Sequence, residues 1–255
     1  MYTTTSTVVV ADSGMCLLVD PGVTAHEVAG LSAAVRQRGW HPVAVWSTHA
    51  HWDHLLDGPG LDALPRWSGA TAQPGWREQA VAGRDADDAL AAVLSLRPDD
   101  SPAAVTLRPP QPFPVTSDDG VGAGAIDWQG PQVEVLLHGA HAADHTALVV
   151  VDTGVLIAGD LLSDVEIPLL DTRAADPVGD YRAALELVER AAAEHDVQVV
   201  VPGHGHVGDL DDLLRRLRQD RRYLDAVASG RPVDDARLTG WLVAVHEQQA
   251  AAVRS

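Results

Sequence analysis

The sequence predicts an α/β fold. A strand–helix–strand order occurs in each half of the chain, and parallel pairing of two such strands needs a helical crossover between them. The composition agrees: 46% of the 255 residues are hydrophobic and 21% are charged, which suits a chain that buries a core and is neither disordered nor fibrous.

The elements follow in order. Residues 7–11 and 15–19 are β-rich runs separated by Asp12-Ser13-Gly14, a hairpin composition. Asp20-Pro21-Gly22 turns the chain, and Thr24 and Glu27 have the spacing of a capping box. Val28, Leu31, Ala34 and Val35 continue at helical spacing, Gly39 ends the helix, and residues 43–46 form a short buried-type strand. Residues 76–96 are alanine-rich and helical in character. Between residues 98 and 114 lie Pro98, Pro102, Pro109, Pro110, Pro112 and Pro114, which preclude a regular helix or central strand. An insertion or lid is therefore expected over about 73–122.

Residues 133–137, 146–151 and 155–158 read as strands. Asp176-Pro177 has the look of an N-cap followed by proline at the first helical position, opening a helix to about Glu194. Residues 197–201 form an apolar strand ended by Pro202-Gly203, and two C-terminal helices are expected from about 209, meeting near Gly230-Arg231-Pro232. The whole of 1–255 reads as a single domain.

Charge narrows the function. Acidic residues number 36 against 18 basic ones, a formal charge of −18. Nucleic-acid binding draws on Lys and Arg that neutralise phosphates, so no nucleic acid and no anionic membrane is expected as a partner; a small-molecule substrate is. The single cysteine, Cys16, rules out an intramolecular disulfide and reads as a small core residue. No apolar stretch reaches about 18 residues and no basic leader is visible, so a cytoplasmic location is expected. The arginines at 215, 216, 218, 221 and 222 are expected to pair with acids of the same chain, with a homodimer contact as their second use.

The chemistry concentrates in Thr48-His49-Ala50-His51-Trp52-Asp53-His54, directly after the 43–46 strand. Three of the chain's 12 histidines fall within six residues there. One histidine in such a loop would be an ordinary polar residue. Three with an aspartate are a ligand set for zinc, iron or manganese. Alternation along an extended segment lets His49 and His51 point the same way while Asp53 and His54 project differently, so one loop can serve two ions. Further ligand-type residues also follow strands: His138, His141 and His145 after 133–137, Asp160 after 155–158, and His204 after 197–201. Beyond the carboxyl ends of strands is where ligands gather in α/β sheets.

His49-x-His51-x-Asp53-His54, a later histidine, the Gly159-Asp160 pair and Pro202-Gly203-His204-Gly205 resemble the motifs of the metallo-β-lactamase superfamily, over about residues 7–208. The resemblance implies an αββα sandwich of two mixed sheets flanked by helices, with a binuclear metal centre. Carried over residue by residue, it implies His49, His51 and His141 on one metal, Asp53, His54 and His204 on the second, and Asp160 bridging them. The third histidine is where the chain departs from the family. The usual Gly-His-Thr-Pro-Gly reads here Ala140-His141-Ala142-Ala143-Asp144. His141 is preferred by its distance to Asp160; His145 is the alternative.

The implied cofactors are two divalent ions, zinc first and iron or manganese next. Such a pair lowers the pKa of bound water toward 7 and polarises a carbonyl or phosphoryl oxygen. The expected reaction is attack of the resulting hydroxide on an ester, thioester, lactone or amide, with Asp53 and Asp160 as the catalytic carboxylates that orient it. Two alternatives stand beside it: an iron-dependent oxidoreductase on the same scaffold, and a non-catalytic metal-binding module. The full ligand set argues against the second, because a structural zinc site is closed by four ligands around one ion. A thioesterase resembling hydroxyacylglutathione hydrolase fits the ligands, but the arginine-poor tail offers no clear pocket for its anionic thiol.

Other residues carry less. Trp52 reads equally as pocket lining or as packing beneath the motif. Residues 163–168 follow Asp160 and pass near the metals, and His206 is expected beside His204. His195 suits a helix C-terminus, where a partly positive imidazole complements the dipole.

Overall fold

The computed structural model describes residues 4–58, 60–69, 74–85, 106–114 and 123–254. The chain divides into two compact units, residues 1–118 with 125–132, and residues 119–124 with 133–255.

The first unit begins with the hairpin β1 (Thr7–Val10) and β2 (Met15–Val19), paired antiparallel from Thr7↔Val19 to Val10↔Cys16. Helix α1 (Ala25–Gln37) starts on the capping box, with Thr24 Oγ1 accepting from Glu27 N–H and the Glu27 carboxylate accepting from Thr24 N–H. Strand β3 (His41–Trp46) then pairs parallel with β2, completing a βαβ crossover. Short pieces follow: β4 (Leu56–Asp57), β5 (Arg66–Ser68), α2 (Trp76–Asp85), β6 (Thr106–Leu107) and β7 (Gln111–Pro112). The mixed sheet runs β1-β2-β3-β5-β7, and β4 pairs with β6 apart from it. Pro112 sits in β7, an edge strand, where a missing N–H removes no ladder bond.

The core of this unit includes Cys16, Leu18, Val28, Val45, Leu55 and Leu56, each fully buried. Each large aliphatic among them contributes roughly 1.5–3 kcal/mol. Trp52 belongs to the same cluster, which makes its role packing. Much of the expected insertion, residues 86–105 and 115–122 with Pro98 and Pro102, lies outside the described residues, as does the end of the helix expected over 76–96.

The second unit holds β9 (Val133–Leu137), β10 (Thr146–Val150), β11 (Val155–Gly159), β12 (Val199–Pro202) and β13 (Gly208–Asp209), in the sheet order β13-β12-β11-β10-β9 with β8 (Ala123–Ala125) along its edge. Here β11 and β12 pair in parallel, while β10 pairs antiparallel with β9 and β11, and β12 antiparallel with β13. Between them runs α3 (Pro177–Glu194), opened by Asp176, whose carboxylate accepts from Gly179 N–H, with Pro177 at its first turn. It buries Val178, Tyr181, Ala184, Leu185, Val188, Ala191 and Ala192, the i, i+3, i+4, i+7 stripe of a core-facing helix. Helices α4 (Leu210–Ala228) and α5 (Trp241–Val253) follow. The buried stripe of α4 contains two charges, Arg216 and Asp220, among Leu213, Leu217, Tyr223, Leu224 and Val227. Mixed sheets with flanking helices fulfil the predicted α/β class.

Candidate functional site

The first unit carries His49, His51, Asp53 and His54 on the loop and 3₁₀ turn after β3. Thr48 and His49 are fully buried and His54 nearly so, and buried polar groups need partners. The loop takes them from the neighbouring strand. Asp20, just past β2, accepts from Thr48 N–H at 3.0 Å and from Thr48 Oγ1 at 2.8 Å, and its Oδ2 lies 2.9 Å from His54 Nδ1. A carboxylate only accepts, so His54 carries its proton on Nδ1, leaving Nε2 with its lone pair. Thr48 Oγ1, having spent its hydrogen on Asp20, accepts from His49 Nδ1 at 3.1 Å. That fixes the same tautomer in His49. One aspartate thus places the proton of two imidazoles on Nδ1, the arrangement by which outer partners orient histidines able to bind a metal through Nε2.

His49 Nε2 and His51 Nδ1 lie 2.9 Å apart. Two nitrogens on one tetrahedral zinc stand about 3.3 Å apart, given a Zn–N bond of about 2.05 Å, so this pair is spaced like donors to a shared ion. Asp53 Oδ2 is 3.6 Å from His54 Nε2. Beneath the loop, Arg66 of β5 donates to Ser47 Oγ at 2.7 Å, His54 O at 3.1 Å and Leu56 O at 2.5 Å. Burial lowers its guanidinium to about 10, against the pull of nearby Asp57.

In the second unit the topology itself gathers the ligand-type residues. The parallel pairing of β11 and β12 places Gly159 opposite Pro202, so Asp160 and His204 leave the sheet side by side. The antiparallel pairing of β10 with β11 and with β9 brings the 138–145 loop to that same end. Gly203 lets the strands close: a Cβ there would collide with Asp160 Oδ1 and stand 3.2 Å from Gly159 O. Asp160 Oδ2 lies 3.3 Å from His141 Nε2 and 3.4 Å from His204 Nε2. One carboxylate oxygen facing two imidazole nitrogens is a donor set that fits divalent transition-metal ions. His141 Nδ1 is 2.8 Å from Leu169 O, which again fixes the proton on Nδ1 and points Nε2 at the carboxylate.

His145 does something else. Its Nε2 accepts the backbone N–H of Asp160 at 3.0 Å, and its Nδ1 lies 3.2 Å from His138 Nε2. The two rings share that contact, and burial lowers the His138 imidazole to about 3, which keeps it neutral. His206 departs from the expected place beside His204: it is largely exposed and binds Asp164, with Nδ1 2.9 Å from Oδ2 and its N–H donating to Oδ1 at 2.8 Å. The 163–168 segment is thus occupied with its own neighbours. His195 caps α3 and pairs with Glu134 of β9, 2.7 Å away. Of the arginine cluster, Arg215 pairs with Asp212 and Arg221 with Glu189, while buried Arg216 donates to Leu162 O and His206 O.

Asp20 escaped the sequence reading because Asp-Pro-Gly announces a turn. Its signal is positional: an acid at the carboxyl end of the strand adjacent to the one that delivers the ligand loop.

Comparison with known proteins agrees with these motifs. Residues 2–204 match the family model described as the metallo-beta-lactamase superfamily. Two hydroxyacylglutathione hydrolases, from Citrobacter koseri and Erwinia tasmaniensis, are 41% and 46% identical over 44 residues, 17% of this chain and 16% of each relative. The chain therefore spans only a small part of the curated relatives it matches. Among solved structures, the DIM-1 metallo-beta-lactamase exposed to ceftazidime superposes with a TM-score of 0.56 at 17% identity, covering 85% of this chain and 84% of that one. A metallo-beta-lactamase from Hirschia baltica gives 0.53 at 18% identity, covering 84% of each. These structures share the fold.

Proposed function

The chain belongs to the metallo-beta-lactamase superfamily, and from that premise we propose that it is a hydrolase dependent on two divalent metal ions, zinc first, acting on a small-molecule ester, thioester, lactone or amide. His49, His51 and His141 are assigned to one ion, Asp53, His54 and His204 to the other, and Asp160 to both. The observation that carries the reading is Asp160 Oδ2, 3.3 Å and 3.4 Å from the Nε2 atoms of His141 and His204, two histidines that the family pattern gives to different ions. Bound divalent ions supply Lewis acidity at the substrate's oxygen and acidify water toward neutral pH.

The chain's own residues do the rest. Asp20, directly at His54 and through Thr48 at His49, holds both imidazoles with the proton on Nδ1. Asp53 and Asp160 offset the positive charge that neutral imidazoles leave uncompensated, and the Asp53 carboxylate accepts a hydrogen bond that orients the attacking water. The formal charge of −18 disfavours polyanionic substrates.

The test is metal analysis of purified protein followed by a hydrolysis panel of esters, thioesters, lactones, amides and β-lactams. A hydroxyacylglutathione heads the panel because of the 44-residue likeness to its hydrolases. Activity lost to a chelator and restored by zinc, with no oxygen consumed, is the expected result. Oxygen uptake by an iron-loaded protein would favour the oxidoreductase; no bound metal and no hydrolysis would end the proposal.

A further inference from the structure

Leu169 O lies against His141, and one distant side chain holds both the peptide that carries this carbonyl, through Leu170 N–H, and the peptide before it, through Pro168 O. Gln249, on α5, accepts from Leu170 N–H with Oε1 at 2.6 Å and donates from Nε2 to Pro168 O at 3.0 Å. Its amide is buried, 3% exposed. The same Nε2 lies 2.9 Å from Tyr223 Oη, which is in turn 3.0 Å from His246 Nδ1, also on α5. Burying a primary amide is unfavourable unless its groups are paired, and here both ends are spent on one three-residue segment. Within that segment, Leu169 O is the acceptor for His141 Nδ1 at 2.8 Å. Gln249 lies beyond residue 204, where the family match ends.

We propose that Gln249 is a positioning residue for the metal centre: it fixes residues 168–170 so that Leu169 O holds the His141 imidazole with Nε2 toward Asp160. The inference rests on the assignment of His141 as a metal ligand. Gln249 bonds the backbone of 168–170 and not the imidazole itself, so its effect must pass through His141. Loss of an outer partner of a metal-binding histidine costs about 10–100-fold in metal affinity, and that is the loss expected for Gln249→Leu.

The experiment is a competition titration of the full chain with Zn²⁺ against a chromophoric chelator, for the wild type, Gln249→Leu, His141→Ala and the double variant. Gln249→Leu is expected to weaken zinc about 10–100-fold alone and to change little when His141 is already alanine, because residues that act through one another are not additive. If Gln249→Leu does not fold, Gln249→Glu carries the same test, since it keeps the acceptor for Leu170 N–H and loses the donor to Pro168 O. Zinc affinity unchanged by the Gln249 variants but lost in His141→Ala would overturn this inference and leave the proposed function standing. An equal loss with or without His141 would overturn it too, by showing that Gln249 acts elsewhere. Full zinc affinity in His141→Ala would sink the ligand assignment itself and this inference with it.

Discussion

Asp20 Oδ2 stands 2.9 Å from His54 Nδ1, and the same carboxylate holds Thr48 by both its N–H and its hydroxyl. A residue that looks like part of a turn thereby sets the protonation of His54 directly and of His49 through Thr48. Replacing Asp20 by alanine removes an acceptor from three buried donors at once. The expected outcome is a loss of about 10–100-fold in zinc affinity, read by chelator competition. Asp20→Ala with wild-type zinc affinity would show that the tautomers are set by something else.

His141 and His145 give opposite expectations. His141 Nε2 faces Asp160 Oδ2, whereas His145 Nε2 is already engaged by Asp160 N–H. His141→Ala is expected to lower the number of zinc ions retained per chain after dialysis. His145→Ala is expected to keep that number and to weaken binding by no more than about 10–100-fold, the range of an outer partner. Metal counting on the two variants decides it, and the reverse pattern would exchange their roles.

Cys16 lies in β2 with no exposed surface, and burial pushes its thiol from 9.0 up to about 11. The thiolate is the reactive form. No labelling by a thiolate-directed reagent is expected near neutral pH in the folded protein, and one label per chain in denaturant. Rapid labelling of native protein would contradict the packing of β2.

Asp220 is buried on α4 beside Arg237, Oδ1 to Nη1 2.7 Å, and burial outweighs the arginine, lifting its carboxyl from 3.8 to about 6. The folded chain therefore keeps a proton on Asp220 that the unfolded chain releases near 3.8. The stability this adds is fully present below the unfolded value and is lost as the pH rises through about 6. Asp220→Asn cannot titrate. The stability of the wild type minus that of Asp220→Asn, from urea unfolding at several pH values, is expected to fall from about pH 4 to about pH 6.5 and to level off above it. A difference that stays flat or rises across that window would refute it.

Local signals located the regular elements well where they were chemical. Thr24 with Glu27, and Asp176 with Pro177, open helices as their spacing indicates. The apolar runs at 15–19 and 133–137 are strands with those bounds. The run at 197–201 is displaced, its strand being Val199–Pro202, because the ladder is set by pairing with β11 and β13 and not by hydrophobicity alone. The two- and three-residue strands β4 to β8 left no trace, since so short a segment completes no periodicity. In β5, Arg66 is buried at a strand position that composition would assign to solvent, because Ser47 and the carbonyls of His54 and Leu56 take up its donors.

The chain's local order specified the ligand-type residues and their spacing from His49 to His54, the strand ends that carry Asp160 and His204, and the α/β order of the elements. These are properties of neighbouring residues, and neighbours are what a chain specifies locally. Only the tertiary structure decided which histidine of the 138–145 loop faces Asp160, because that depends on the register of β10 against β11. It likewise decided that Asp20 and the carbonyl of Leu169 meet imidazole nitrogens, and that Gln249 bonds the backbone of 168–170. A hydrogen bond to a group brought from a distant element needs the fold to exist first, and no pattern along the chain records it.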